Sequence, residues 1–322
     1  MKVEFEKKQF DFTVIMAVYN AEPFLKEAVL SLLSQDIGFE EHVQLILVDD
    51  GSTDGSGEIC DRFAACFPEN ILAIHQENAG VSAARNAGIP HIQGKYVNFM
   101  DADDKLSRNT LSKVKAFFQK HGDKVDLVSI PMEFFDARTG QHILNYKYKK
   151  GTRVIDLTKE YDAIQLSLSS GFTKAECLKD NAFDVRLTNM EDAKVCTEIL
   201  KKKKNLGVVS DAQYMYRRRS MGAPSAVQNN QKNPSWYLPS LKYFSSEVLA
   251  CDEEENPPLF VQYLVMYDLQ WHLISKETIK RVLSEEEFIE YCNLFFSLLK
   301  KIDNKIIMAQ KNISRIREIR YT

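Results

Sequence analysis

A short apolar run, Tyr96-Val97-Asn98-Phe99-Met100, ends abruptly in Asp101-Ala102-Asp103-Asp104. The run is too short for a useful helix and alternates as strand sequence does, so it is expected to be a buried strand that delivers acid to a rim. Asp101 and Asp103 are two apart and leave an extended chain on the same side, where they can share a cation. A hard divalent ion held by one or two carboxylates completes its shell with water and substrate phosphate. That chemistry points to a diphosphate-bearing substrate. Two further acidic points stand out, Asp49-Asp50 after Gln44-Leu45-Ile46-Leu47-Val48, and Glu191-Asp192 before Ala193 to Leu200. An aspartate at a strand end is also a common turn former, and two acids at a helix start suit the helix dipole without any catalytic role.

The elements that must hold these residues are legible. Phe12 to Val18 is a continuous apolar run ending at Tyr19-Asn20, as expected of a central strand buried on both faces. Pro23 can open a helix from Glu22 to Ser34, whose Phe24, Leu25, Ala28, Val29, Leu32 and Leu33 fall at amphipathic spacing. Gln44 to Val48 is a second buried strand, and Thr53 or Asp54 can cap a helix running towards Phe67. Ile71 to Ile74 is a third strand, and Val81 to Gly88 gives a helical turn or two after Asn78-Ala79-Gly80. Alternating strand and helix predicts an α/β fold with a mostly parallel, open, twisted sheet covered on both faces. Ligands of such sheets bind outside the carboxyl ends of the strands, where Tyr19, Asp50, Asn78 and Asp101 to Asp104 all fall.

Further on, a helix over Asn109 to Lys120, a strand over Val125 to Ile130 and a hairpin tip at Asp136 to Gly140 are expected. Ala193 to Leu200 reads as a short helix with Lys201 to Lys204 at its solvated end. A strand over Gly207 to Ser210 precedes Tyr214-Met215-Tyr216-Arg217-Arg218-Arg219-Ser220, a basic strand end entering a loop with Gly222, Pro224 and Ser225. Beyond Pro234, periodic segments around Trp236 to Ala250, Leu259 to Ile274, Glu285 to Lys301 and Lys305 to Ile319 predict an α-helical C-terminal module. The boundaries drawn from sequence are 1–230, split into a nucleotide-binding half 1–110 and an acceptor half 111–230, and 231–322.

The 322 residues are 44% hydrophobic and 27% charged with a formal net charge of -3, an ordinary soluble composition with no signal for nucleic acid. Charges at the N-terminus and the lack of any run of ~18 apolar residues argue for the cytoplasm. The six cysteines are scattered, without C-x-x-C or a short spacing to histidine, so zinc and disulfide frameworks are not expected and buried thiols are. Asp50 to Asp61 imitates a calcium-binding EF-hand loop but follows a strand and has Gly57 where an apolar residue is needed. A dinucleotide-binding loop is absent, since no G-x-G-x-x-G follows either of the first two strands.

Together, Val14-Ile15-Met16-Ala17-Val18-Tyr19-Asn20, Val48-Asp49-Asp50-Gly51-Ser52-Thr53-Asp54, Asn78 to Asn86, Asp101-Ala102-Asp103-Asp104 and Glu191-Asp192 resemble family 2 glycosyltransferases with the GT-A fold. The likeness is dense in the first third and sparse in the next. Ala17 departs from the proline or threonine usual there, at a position that meets the nucleotide through its backbone. The resemblance implies a UDP-sugar donor, with Asp50 accepting the uracil N–H and Ala17, Tyr19, Asn78 and Arg85 completing the base pocket. It implies Mn2+ or Mg2+ on Asp103, Asp101 reaching ribose and the ion's water shell, Asp192 as catalytic base, Glu191 as acceptor-binding partner and inversion at the sugar. Arg217 to Arg219 could fold over the diphosphate, with Arg219 foremost and Ser225 ordering a lid; a solvated basic strand end or a patch for an anionic acceptor polymer explains the same residues.

The second third, including Phe183 to Leu187 and Tyr214 to Ser225, resembles capsule and teichoic acid synthases. This implies a glycan, polyol-phosphate or lipid-linked acceptor and peripheral association with the inner face of the membrane; the helical C-terminal module, for its part, could hold a homo-oligomer together. A non-catalytic nucleotide-sugar-binding or assembly module is one alternative. A sugar-phosphate nucleotidyltransferase is another, distinguished by releasing pyrophosphate and by a glycine-rich phosphate loop that Tyr19-Asn20-Ala21-Glu22 does not supply.

Overall fold

The computed structural model describes residues 9–220, 234–250, 256–274 and 276–310. Chain packing separates two compact units that interleave along the sequence. The first comprises Met1–Val154, Ser167–Phe183 and Asn205–Arg218, and the second Ile155–Leu166, Asp184–Lys204 and Arg219–Thr322. The contiguous division at residue 230 drawn from sequence follows chain order, whereas the helical unit also takes up 155–166 and 184–204.

The first unit begins with β1 (Phe10–Val18), α1 (Glu22–Leu33), α2 (Phe39–His42), β2 (Val43–Asp49), α3 (Ser56–Cys66), β3 (Ile71–His75), α4 (Val81–Gly88) and β4 (Gly94–Asp101). It continues with β5 (Lys105–Leu106), α5 (Thr110–His121), β6 (Leu127–Ser129), β7 (Met132–Asp136), β8 (Gly140–Gln141) and β9 (Arg153–Asp156), within which the chain passes into the second unit. Later segments return β10 (Gly171–Lys174), β11 (Asn205–Val208) and β12 (Tyr214–Arg218). The main sheet runs β3-β2-β1-β4-β10-β6-β11-β9. Its β3, β2, β1 and β4 are mutually parallel, while β10 lies antiparallel to both β4 and β6. A second sheet, β5-β12-β7-β8, pairs β12 antiparallel to β5 and parallel to β7.

Every residue of β2 is buried, as its unbroken apolar run requires of a strand covered on both faces. On one face Val14, Met16, Leu45, Leu47 and Met100 join Leu25 and Val29 of α1, Cys60 of α3 and Val114 and Phe118 of α5 in one apolar core. On the other, α4 comes so close that a Cβ on Gly88 would lie 2.7 Å from the Ile15 side chain. Pro23 opens α1 as expected, whereas α3 is capped by Gly55 rather than by Thr53 or Asp54. Asp54 instead accepts from the Ser56 N–H at 3.0 Å and the Glu22 N–H at 3.1 Å, tying the starts of both helices together. The hairpin tip at Asp136 to Gly140 is present between β7 and β8, with Asp136 at φ 76°.

In the second unit, α6 (Glu191–Lys203) is followed by a π-helical turn Ser240–Ser245 and an α turn Ser246–Val248. Then come α7 (Leu259–Ile274), α8 (Lys276–Val282), α9 (Glu285–Leu299) and α10 (Asn304–Met308). The expected helix around Trp236 to Ala250 is thus broken into turns, and the helix expected over Lys305 to Ile319 ends at Met308 with Ala309 as its C-cap, residues 311–322 lying outside the described range. A capping box of Ser284 and Glu287 starts α9. Near the start of α6, Lys194 pairs with Asp184 at 2.8 Å and with Glu247, and Arg186 joins the same two acids. The Arg186 hydrogen bond, followed by Lys194, holds the Asp184 carboxyl well below the usual carboxylate range. No helix among the described residues is long and apolar enough to cross a membrane. The thiols of Cys60, Cys177 and Cys196 are buried as expected, but Cys66, the last residue of α3, is exposed and Cys292 of α9 is half-buried; Cys251 lies outside the described residues.

Asn98 of β4 is fully buried, and its amide group donates to the carbonyls of Leu168, Ser169 and Gly171 at 3.1, 2.9 and 2.8 Å. This one side chain fixes the entry to β10. Asn98→Leu removes these three bonds, leaving the Leu168 carbonyl the Gly171 N–H, and is expected to lower the unfolding free energy by about 1–3 kcal/mol; an unchanged urea midpoint would show that the segment is held otherwise.

Candidate functional site

Parallel register brings the strand ends of the first unit into one row. Ala17 stands opposite Val48 on one side and Asp101 on the other, and Val18 stands opposite Asp49. The Asp50 N–H continues the ladder by donating to the Val18 carbonyl at 2.8 Å. With β2 and β4 flanking β1, the chain's order reverses at this row, the switch point where doubly wound sheets open a crevice.

Asp50 is buried, and its carboxylate accepts three bonds from one segment: Gln76 Nε2 at 2.7 Å and the N–H groups of Ala79 and Gly80 at 2.9 Å each. The loop carrying exposed Asn78 is therefore ordered by Asp50 itself, a role the sequence reading did not give it. Gly51, at φ 71°, lets this happen, because a Cβ there would lie 2.9 Å from the Asn78 nitrogen. The loop after β1 is laced to the loop after β2: the Asn20 N–H donates to Ser52 Oγ at 3.1 Å and the Thr53 N–H to Asn20 Oδ1 at 2.8 Å. Tyr19, beside this lacing, is 51% exposed and offers an open ring face.

At the end of β4, Asp101 forms an ion pair at 3.0 Å with Arg85, whose guanidinium is buried and lies 5.2 Å from the ring centre of Phe183. Arg85, expected in the base pocket, stands on this rim paired with Asp101. Asp103 is half-buried on the turn. Asp104 points inward, accepting from the Tyr214 hydroxyl at 2.7 Å and the Arg217 N–H at 2.7 Å. Burial, with the charges of Asp101 and Asp103, pushes its carboxyl well above the usual range.

Arg217 departs from expectation. Its side chain is buried, donates from Nε to the Asp103 carbonyl at 2.8 Å, and meets Glu27 of α1 and, at 3.3 Å, Asp136 of β7. It cannot fold over a diphosphate with its neighbours, because successive strand residues leave on opposite sides. Its partner on the far face, Arg218, stacks instead near Phe134 and Tyr216. Glu191, Asp192 and Arg219 belong to the second unit. There the chain enters α6 through Met190 at φ 62°, with Asp192 buried and Glu191 half-buried in the first turn. Ser225 lies outside the described residues.

Among the described residues no group of three or more His, Cys, Asp or Glu is arranged to hold a metal ion by itself. Asp103 and Asp101 are hard oxygen donors, and one or two of these suit a divalent ion that draws the rest of its shell from phosphate and water.

Behind the row, His75 of β3 is held by Asp61 at 2.9 Å through Nε2 and by Asp49 at 3.0 Å through Nδ1. Asp61 first, then Asp49, raises its pKa. A raised folded-state pKa means the charged imidazole adds stability fully below the unfolded value of about 6.5, and loses it as pH rises through the folded value. His75→Gln should therefore trail the wild type most near pH ~6, with the gap closing above it. Urea titrations across pH check this, and a gap that widens with pH would contradict it.

Residues 13–173 match the model of Glycosyl transferase family 2. The chain is 41% identical over 307 residues to the minor teichoic acid biosynthesis protein GgaB of Bacillus subtilis, covering 95% of this chain and 34% of GgaB. It is 32% identical over 311 residues to GgaA of the same organism, covering 93% of this chain and 68% of that protein. The fold is similar to crystallised residues 1–349 of Staphylococcus aureus TarS in complex with UDP-GlcNAc, with TM-score 0.72, 21% identity, and coverage of 92% of this chain and 83% of that one. This chain thus spans about a third of GgaB. With the acidic turn at the switch point of its sheet, it belongs to glycosyltransferase family 2.

Proposed function

We propose that the chain is an inverting glycosyltransferase that moves a sugar from a UDP-sugar to a hydroxyl of a teichoic-type or related cell-surface polymer. The observation that carries this reading is the row formed by Ala17, the loop ordered by Asp50, and the Asp101 to Asp104 turn. It is supported by the likeness to GgaB and GgaA and by the UDP-GlcNAc held in TarS.

In this reading uracil lies between Ala17, Tyr19, Asn78 and the Asp50 side, and ribose meets Asp101, which Arg85 keeps turned to the rim. Asp192 takes the proton of the acceptor hydroxyl while its oxygen bonds to the anomeric carbon. The bond from that carbon to the diphosphate breaks on the opposite face, UDP carries the electron pair away, and configuration inverts. Glu191 holds the acceptor, and Arg219 and Ser225 help to exclude water, since hydrolysis of the donor competes with transfer. Mn2+ or Mg2+ on Asp103, with Asp101 in its water shell, would supply Lewis-acid stabilisation of the departing diphosphate.

A panel of UDP-sugars with Mn2+ or Mg2+ and a teichoic-type acceptor tests the proposal. Free UDP and a glycosylated acceptor are expected. Asp192→Asn should reduce turnover by about 10²–10⁴ while leaving UDP binding intact, and Asp103→Asn should remove metal dependence together with activity. Release of pyrophosphate would indicate nucleotidyl transfer. Wild-type UDP binding without turnover on any acceptor, or full activity in Asp192→Asn, would overturn the assignment.

A further inference from the structure

The turn between β4 and β5 is short and gathers the carboxyl groups of Asp101, Asp103 and Asp104 within four residues. Its backbone is closed by the Asp104 N–H donating to the Asp101 carbonyl at 3.2 Å. Behind it stands β12, whose residues reach three separate points of the turn. The Tyr214 hydroxyl accepts from the Asp101 N–H at 3.3 Å and donates to one oxygen of Asp104 at 2.7 Å. The Arg217 N–H donates to the other oxygen of Asp104, and Arg217 Nε donates to the carbonyl of Asp103 itself.

Arg217 is in turn immobilised. Its guanidinium meets Glu27 from α1 and Asp136 from β7, and it lies over the rings of Phe24 at 5.0 Å and Phe135 at 4.3 Å. An arginine held by planar partners and two ring faces has little freedom left, and a lysine cannot reproduce that fork. Asp104 is equally constrained, with both carboxylate oxygens occupied from the protein side.

From this geometry we infer that Tyr214, Asp104 and Arg217 are positioning residues that aim the Asp103 carboxylate at the donor's diphosphate. The inference rests on the assignment of Asp103 to that diphosphate. These side chains act through the turn, by fixing the Asp101 nitrogen and the Asp103 carbonyl on either side of the residue that binds. Loss of a partner that orients a metal-binding side chain typically costs about 10–100-fold in affinity.

The test measures Mn2+ binding with saturating UDP, by electron paramagnetic resonance and calorimetry, beside kcat, KM and the thermal midpoint. Tyr214→Phe removes one oxygen and keeps the ring, so it preserves packing even if an Arg217 variant folds poorly. Tyr214→Phe and Arg217→Met should each weaken Mn2+ by about tenfold or more, and Arg217→Lys should restore only part of the loss. Asn70→Ala is the control for stability alone, since Asn70 holds the carbonyls of Phe39, Glu40 and Val43 at the far end of the sheet. It should lower the midpoint without moving the Mn2+ constant. Wild-type Mn2+ affinity in Tyr214→Phe and Arg217→Met, or losses that merely track the midpoint as Asn70→Ala does, would overturn the inference. Absence of Mn2+-coupled UDP binding in the wild type would instead refute the assignment of Asp103, and the inference with it.

Discussion

The structure of the first unit turns on one electrostatic constraint: Asp101, Asp103 and Asp104 must be held together at a strand end without driving the turn apart. Each is handled differently. Asp101 is balanced by buried Arg85, Asp104 is turned inward onto Tyr214 and Arg217, and Asp103 is left half-buried at the rim. The compensation comes from distant chain segments, since Arg85 opens towards the turn from α4 and Arg217 from the end of β12. A buried carboxylate with hydrogen bonds to both oxygens is tolerable where a bare one is not. The acid concentrated at this rim is thereby balanced from α4 and β12, while Glu27 of α1 and Asp136 of β7 hold the Arg217 guanidinium.

The parallel sheet supplies the frame for that turn. Because β1 is flanked by β2 on one side and β4 on the other, Ala17, Val48 and Asp101 stand in register, and the loops that follow emerge side by side. Asp50 then orders the loop of Gln76 to Gly80, so that one carboxylate both ends a strand and shapes its neighbour. The loops at this rim are thus fixed by side chains of the strand ends rather than by their own secondary structure.

Much of this was legible in the sequence. Continuous apolar runs marked β1 and β2 because strands buried on both faces tolerate little else, and the acids that follow them marked the rim. The role of Arg217 was not legible, because three consecutive arginines read as one basic cluster until strand pairing sends alternate residues to opposite faces. The double use of Asp50 was hidden for a similar reason, since its partners lie some thirty residues away and donate mainly through backbone N–H groups. The interleaving of the two units also escaped a reading in chain order: the turn-rich passage 155–166 and the segment 184–204 that carries α6 are assigned by what they pack against, not by their place in the chain.

The central claim is that the Asp101 to Asp104 turn receives a nucleoside diphosphate and its ion. Crystals grown with UDP and Mn2+, with data collected at the manganese absorption edge, test it most directly. The account predicts an anomalous peak bridging Asp103 and the diphosphate, with uracil beside Ala17 and the loop of Asn78. An ion and diphosphate bound away from this turn, or uracil with no contact to the ends of β1 and β2, would contradict it.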